Sequence, residues 1–368
     1  MTTNRLQLVR DEMTHSNLDF LLVTDPSNRQ WISGFTGSSG IILISKQAAY
    51  IATDSRYWIQ AEQQCPGFEL VKVAGASTSV ATELVEKISD GSHFGYEHEN
   101  LTMKQYQDWI NIISSMTWED IPSFIPASNI INKLRMSKDN HELTLLMKAV
   151  EIADAGMKHA FQIIKPGMTE KTLAWEIQKY VIENGADSLS FNTIVAGGEW
   201  GALPHARPRN VALKKGTGIV IDMGVRVDGY CSDLTRTFFL GAPTAKFKEV
   251  YDVVLTAQMM AIERIEAGMT GLEAHEIAAS VITEMGYGDY FGHGLGHGVG
   301  IDVHENPRLS PASDTILENG HVFTIEPGVY LPDWGGVRIE DQCLMESDRV
   351  RSLTKSPKLD LEIGVIDD

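Results

Sequence analysis

The first third of the chain alternates short apolar runs with amphipathic segments, which is the pattern of an α/β domain. The predicted helices are 6–16, 56–64, 79–88 and 103–114. The predicted strands are 19–23, 40–44, 48–52, 68–73 and 93–96, with the second and third forming a hairpin around 45–47.

A domain boundary is predicted after this alternating region. The prolines of 121–126 predict an extended linker, because each proline disfavours a helical conformation in the residue before it. Beyond the linker, Asp139 followed by Glu142 fits a capping box at the start of a long amphipathic helix. We therefore predict an α/β domain over 1–127 and an α+β domain over 128–368.

The second predicted domain contains one pattern written twice. Four residues recur at a constant spacing of 101, which are Ile164, Gly167, Met168 and Thr169 in the first copy and Ile265, Gly268, Met269 and Thr270 in the second. In each copy a helix, a loop with a histidine and an acid-bearing strand follow in the same order. This repetition predicts a pseudo-symmetric domain whose halves face each other across one site.

Each copy of the pattern carries an acid inside an apolar strand. Asp222 and Glu326 both follow an apolar run that ends in isoleucine, and both precede a spacer, a glycine and a valine. An acid buried in this way loses hydration and needs a partner. Further along each copy lies a second acid, Asp233 or Glu340. A buried cation shared by four carboxylates is the simplest explanation.

The Asp228-Gly229 pair between the first two acids is a turn signal. It predicts a chain reversal that brings Asp222 and Asp233 onto neighbouring antiparallel strands. The alternative is that Asp233 caps the strand or pairs with Arg236.

The glycine-rich stretch 291–300 is incompatible with a helix because its five glycines lose too much conformational entropy. Together with the residues after it, this stretch presents His293, His297 and His304. A single histidine is more often a packed core residue than a ligand, but three beside duplicated acids favour a metal site. Such an oxygen-rich set suits Mn²⁺, Co²⁺ or Fe²⁺ better than structural Zn²⁺. Two such ions would activate water for hydrolysis.

Composition narrows the classes of partner and compartment. The formal charge is −18, from 31 basic and 49 acidic side chains, which disfavours nucleic acid because phosphate binding depends on Lys and Arg. The three cysteines form no CxxC motif, and no apolar run is long enough for a membrane span. The start of the chain lacks an apolar signal core, so we expect a cytoplasmic protein.

Five of these residues lie at the spacings of the metal ligands of the pita-bread metallopeptidases, the group that includes Xaa-Pro aminopeptidase (aminopeptidase P), prolidase and methionine aminopeptidase. They are Asp222, Asp233, His297, Glu326 and Glu340. The segments that resemble the proline-specific branch are 202–208, 229–237, 293–305, 324–330 and 336–341. The resemblance covers nearly the whole chain, and the N-terminal domain argues against a methionine aminopeptidase.

The resemblance implies a creatinase/aminopeptidase-like pita-bread domain that binds two divalent ions, with Mn²⁺ favoured and Co²⁺, Zn²⁺ or Fe²⁺ as alternatives. The resemblance also implies that Glu326 takes a proton from the catalytic water and passes it to the leaving prolyl nitrogen. His304 would stabilise the gem-diolate, and His205 would contact the peptide near the scissile bond. The expected substrates are short proline-containing peptides, and the expected assembly is a homodimer.

The resemblance also places His293 in the proline pocket, with Tyr330 and Arg338 orienting ligands and water. Arg338 could instead form a structural ion pair, and Tyr330 could simply pack within its strand.

Xaa-Pro aminopeptidase is the favoured activity, and prolidase, which cleaves dipeptides, is the alternative. A metal-free creatinase-like amidinohydrolase and a non-catalytic binding module remain as further alternatives, although both classes lack the full ligand set.

Overall fold

The computed structural model describes residues 2–74, 76–127 and 129–358. The fold divides into two units between Arg135 and Met136. The assignment of 1–127 and 128–368 as separate domains stays a prediction.

The first unit has the α/β architecture that its alternating pattern predicts. Its helices are α1 (Thr2–His15), α2 (Pro26–Ser33), α3 (Trp58–Gln64), α4 (Ser77–Val85), α5 (Met103–Ser115) and α6 (Ile130–Met136). Its strands are β1 (Phe20–Val23), β2 (Ile41–Ser45), β3 (Ala49–Thr53), β4 (Glu69–Lys72), β5 (His93–Tyr96) and β6 (Ser123–Pro126). They form one mixed sheet in the order β4-β3-β2-β1-β5-β6, and β2 and β3 make the predicted hairpin.

Two features of this unit differ from the sequence prediction. The segment predicted as a linker contains β6, which pairs in parallel with β5 at the edge of the sheet, where proline is tolerated. Helix α2 was not predicted, although its signals are present. Asp25 caps its first turn, Pro26 begins it, and Gly34 ends it with a φ of 78°.

The second unit is α+β. Its helices are α7 (Asn140–Ile163), α8 (Glu170–Glu183), α9 (Ala245–Arg264) and α10 (Gly271–Glu284). Its strands are β7 (Ser188–Leu189), β8 (Ile194–Gly197), β9 (Gly218–Met223), β10 (Val225–Val227), β11 (Tyr230–Cys231), β12 (Leu234–Phe239), β13 (Gly296–Gly298), β14 (Glu305–Leu309), β15 (Val322–Ile325), β16 (Gly328–Leu331), β17 (Gly335–Arg338), β18 (Asp341–Glu346) and β19 (Arg349–Ser352). The predicted capping box at Asp139 is confirmed at the start of α7.

The repeated sequence pattern folds in the same way twice. Gly167 and Gly268 adopt φ values of 85° and 94°, which side chains rarely tolerate. Thr169 and Thr270 then cap α8 and α10, each of 14 residues. The predicted internal repeat is therefore confirmed as a structural one.

Each half of the second unit has its own sheet and its own helix pair. In the first half β12-β9-β8 is antiparallel and buries its apolar residues with those of α7 and α8. In the second half β14-β13-β15-β18-β19 does the same with α9 and α10. In both halves, helices therefore pack against a sheet that has the predicted acids on its strands or directly beside them.

The glycine-rich stretch contains β13, and close backbone approach requires the two glycines of that strand, Gly296 and Gly298. A Cβ on Gly296 would overlap the carbonyl oxygen of Thr324, and one on Gly298 would overlap that of Asn306. Because both neighbours are backbone atoms, the chain cannot relieve the clash by moving a side chain.

We predict that Gly296→Ala lowers the free energy of unfolding by about 3 kcal/mol or more, because the added methyl group displaces β15. Gly292→Ala is the matched control, since a Cβ there meets nothing within 4 Å. Urea unfolding followed by circular dichroism measures both. Equal stability of the two variants would contradict the packing argument.

Candidate metal centre

The first pair of predicted acids lies where β9 and β12 run side by side. Asp222, near the end of β9, is directly opposite Thr235 of β12, and Asp233 immediately precedes β12. Asp228 and Gly229 form the predicted turn, with φ values of 48° and 86°. The prediction of neighbouring antiparallel strands is confirmed, with Asp233 one residue outside its strand.

The second pair lies at the matching place in the other half. Glu326 directly follows β15, Glu340 directly precedes β18, and these two strands are antiparallel. His297 is the middle residue of β13, which pairs with β15. The pseudo-symmetry therefore delivers two carboxylates from each half, and β13 adds the imidazole.

The structure brings all five predicted ligands together. Their donor atoms, with one from His304, form three groups in which the atoms lie within 4.8 Å of one another. These groups are Asp222–Asp233–Glu340, His297–Glu326–Glu340 and Asp233–His297–His304. Asp233, His297 and Glu340 each belong to two groups. Of these three, Asp233 and Glu340 are carboxylates, whose two oxygen atoms could contact two ions.

His297 presents one ring nitrogen to the acids. Its Nε2 lies 3.2 Å from Glu326 Oε1 and 3.6 Å from Asp233 Oδ2, while its Nδ1 is 3.1 Å from the Gly298 carbonyl oxygen. The bond at Nδ1 fixes the orientation of the ring, as expected for a metal-binding histidine.

The buried carboxylates lack sufficient positive charge. Burial, together with the charges of neighbouring acids, raises the pKa values of Asp233 and Glu340 well above their usual range. Burial also raises the pKa of Asp222 despite Arg338, whose Nη2 lies 2.5 Å from Asp222 Oδ2. Burial opposes the ionisation of Glu326, yet the hydrogen bond from His297 and the nearby cationic charges lower its pKa to about 2.

This donor set fits divalent cations. Four carboxylates and an imidazole give the hard, oxygen-rich environment that such ions prefer. Within the described part of the chain, Asp222 Oδ1 is buried and has no hydrogen-bond partner. A bound cation would supply that partner and the positive charge that the acids need.

Two threonines that support the acids were not predicted. Thr235 Oγ1 donates to Glu340 Oε2 at 2.6 Å and accepts from Arg338 Nε at 3.2 Å. Thr324 Oγ1 donates to Glu326 Oε1 at 3.0 Å. A sequence signal exists, because each threonine is two residues from an acid in an extended segment and so shares its face.

The structure also decides two of the alternatives. Arg236 donates to Asp341 Oδ1 at 2.7 Å, so its pairing with Asp233 is wrong. Tyr330 does more than pack, since its hydroxyl accepts from Arg338 Nη1 at 2.9 Å and lies 3.1 Å from His293 Nε2. Arg338 is an ion-pair partner of a predicted ligand and also holds this hydroxyl.

The acids open into a cavity of about 890 Å³ whose lining includes His205, His293 and His304. The His304 ring meets that of His297 edge to face, with centroids 4.2 Å apart. Partial burial and the charge of His297 lower the pKa of His304 to about 4. His304 is therefore a neutral imidazole near pH 7 and can donate a hydrogen bond. Arg308, also on this lining and exposed, was missed by the sequence analysis.

Residues 144–347 match the model of metallopeptidase family M24, and residues 5–137 match that of the creatinase/prolidase N-terminal domain. The chain belongs to metallopeptidase family M24. The predicted creatinase-like N-terminal domain and pita-bread catalytic domain are confirmed, and the protein is a metal-dependent hydrolase.

Individual relatives cover nearly the full length of the chain. The Xaa-Pro dipeptidase of Pyrococcus furiosus is 33% identical over 96% of this chain and 98% of its own. The structure of an Xaa-Pro dipeptidase from Bacillus anthracis has a TM-score of 0.90 and 39% identity, covering 97% of this chain and 98% of that one. An X-Pro aminopeptidase from Thermotoga maritima has a TM-score of 0.83 and 34% identity, covering 93% and 96%.

No helix within residues 2–74, 76–127 and 129–358 is both long and apolar enough to cross a membrane.

We predict that Thr235→Val weakens Mn²⁺ binding roughly 10- to 100-fold, because Glu340 loses the hydroxyl that orients it. Thr193→Val is the control, since the buried Thr193 hydroxyl has no hydrogen-bond partner in the described structure. Calorimetric titration of the chelator-treated proteins measures both affinities. Wild-type affinity in Thr235→Val would refute the supporting role of the hydroxyl.

Proposed function

We propose that this metallopeptidase is an Xaa-Pro dipeptidase, which hydrolyses the bond before a C-terminal proline. The observation that carries the proposal is the carboxylate and histidine cluster opening into a cavity whose lining adds Arg308. The names of the relatives from Pyrococcus furiosus and Bacillus anthracis support the same substrate class.

The five clustered residues would hold two divalent ions, with Mn²⁺ favoured and Co²⁺, Zn²⁺ or Fe²⁺ as alternatives. Asp233 and Glu340 would contact both ions, Asp222 would hold one of them, and His297 with Glu326 the other. When bound, the ions would polarise the peptide carbonyl and lower the pKa of a water molecule. Glu326 would accept the proton of that water and deliver it to the prolyl nitrogen.

The remaining predicted residues surround the peptide. His304, as a neutral donor, would bind the oxygen that becomes negatively charged during attack. His205 would contact the peptide near the scissile bond, and His293 would line the proline pocket. Tyr330, held by Arg338, would orient the reacting groups.

Arg308 favours a dipeptide over a longer peptide. It lies directly opposite His297 in the β13–β14 pairing, and its positive charge contributes to lowering the pKa of His304. A guanidinium at this place would bind the C-terminal carboxylate of a dipeptide through charge-assisted hydrogen bonds. In a longer peptide the same position is a neutral amide, which gains less from the cation.

Xaa-Pro aminopeptidase, the activity favoured from sequence, is the second candidate. The likeness to the Thermotoga maritima enzyme supports it, and His205, Arg207 and Arg308 are exposed on the cavity lining, so the cavity is open to solvent. The creatinase-like and non-catalytic alternatives lose support, because every ligand position carries a side chain that can bind a metal. The homodimer and the cytoplasmic location stay predictions.

The test of function compares Ala-Pro with Ala-Pro-Ala after chelation and after restoration of Mn²⁺. We expect Mn²⁺-dependent release of proline from the dipeptide and at least about tenfold lower kcat/KM for the tripeptide. Faster cleavage of the tripeptide would establish the aminopeptidase instead. Cleavage of neither peptide would contradict both candidates.

Arg308→Ala extends the same test to substrate length. It is expected to raise KM for Ala-Pro roughly 10- to 100-fold, because the carboxylate loses a charged partner. The control is Arg207→Ala, which removes another exposed cation from the same lining. If the two variants change KM equally, general electrostatics would explain the effect and Arg308 would lose its proposed role.

A further inference from the structure

One buried carboxylate holds both ends of the segment that carries His205. This His205 segment comprises residues 197–209. Glu170, only 1% exposed at the start of α8, accepts from the Gly197 amide at 3.1 Å and the Arg209 amide at 2.8 Å. The Arg209 guanidinium binds the same carboxylate through Nε at 3.0 Å and Nη2 at 2.7 Å.

Trp200 contacts both Arg209 and the residues that directly follow His205. The Arg209 guanidinium lies over the Trp200 ring, 4.3 Å from its centroid. The indole Nε1 donates to the Arg207 carbonyl oxygen at 3.1 Å, and the ring packs on the small apolar cluster that includes Ala206. The chain on the C-terminal side of His205 is therefore held by Trp200.

The N-terminal side of His205 is tied to the metal centre. The Pro204 carbonyl oxygen accepts from Arg338 Nη1 at 3.2 Å, and Arg338 also binds Asp222. His205 consequently stands between two fixed points, one set by Arg338 and the other by Glu170 through Arg209.

Glu170 itself lies outside the reaction cavity. Together with Trp200 and Arg209 it lines a separate cavity of about 370 Å³, and it is absent from the residues around the metal centre. Any effect of Glu170 on the reaction must therefore act through the His205 segment.

We propose that Glu170 is a positioning residue, which holds His205 at the substrate through Arg209 and Trp200. A group that acts on a substrate must be held to within a fraction of an ångström, and most of the His205 segment, residues 198–209, lies outside the strands that would otherwise fix it. The proposal rests on the proposed function only for what His205 touches.

The first test follows the segment directly. We expect Glu170→Gln to speed hydrogen–deuterium exchange of the 197–209 peptide amides about tenfold or more, with exchange in β15 and β18 unchanged. Glu199→Gln is the matched control, since it removes an exposed carboxylate from the same 370 Å³ cavity that Glu170 lines. Unchanged exchange in Glu170→Gln would overturn the proposal.

The second test follows the reaction. Glu170→Gln should lower kcat/KM for Ala-Pro roughly 10- to 100-fold while the bound Mn²⁺ per chain stays at the wild-type value. When His205→Ala is already present, adding Glu170→Gln should lower kcat/KM by less than about a further twofold. The reason is that the imidazole that Glu170 positions has already been removed. If the loss of kcat/KM in the double variant equals the product of the losses in the two single variants, the proposal would be overturned.

Arg209→Lys provides a second route if Glu170→Gln does not fold. The lysine keeps the charge but loses the paired hydrogen bonds and the planar stacking, so it should give the same exchange and the same non-additivity. If the wild-type protein does not cleave Ala-Pro, the proposed function fails, while the exchange experiment still decides whether Glu170 holds the segment.

Discussion

The catalytic unit depends on four largely buried carboxylates, one of which, Asp222, is paired with the Arg338 guanidinium. Burial removes much of the hydration of these charges, and within the described residues Arg338 forms an ion pair with Asp222 alone among them. The raised pKa values of Asp222, Asp233 and Glu340 express this shortage of positive charge. Divalent cations bound by these side chains would resolve the conflict, so the acids that are costly to bury without metal are the ones that fit a metallopeptidase.

The pseudo-symmetric fold makes such a concentration of acids feasible. Each half is a sheet with a helix pair behind it, so each can place two acids at one end of its strands without exposing its own core. Glycines 296 and 298 let β13 approach its neighbours closely enough to add His297. The His205 segment completes the site from the first half, held by Glu170 at its base. The predicted ligands thus lie on strands or directly beside them, whereas His205, proposed to contact the peptide, lies on a segment outside the strands.

The sequence predicted those parts of the fold whose signals are local or repeated. Asp222 and Glu326 were found because an acid that follows an apolar run is unusual. The repeat showed that the two residues occupy equivalent positions in the two halves. Segment 121–126 is extended as predicted, but its role as a strand was missed because its pairing with β5 depends on residues about 30 positions away. Arg308 and the Glu170–Arg209 ion pair were missed because the role of an arginine or glutamate depends on neighbours that are distant in sequence.

The most direct test of the central claim is the metal content of the folded protein. Protein loaded with Mn²⁺, freed of excess ion by gel filtration and analysed by plasma mass spectrometry should retain about two ions per chain. Glu340→Gln should retain fewer, because Glu340 belongs to both of the groups that consist only of predicted ligands. A wild-type protein that binds no divalent ion, yet cleaves Ala-Pro in the presence of chelator, would contradict the account.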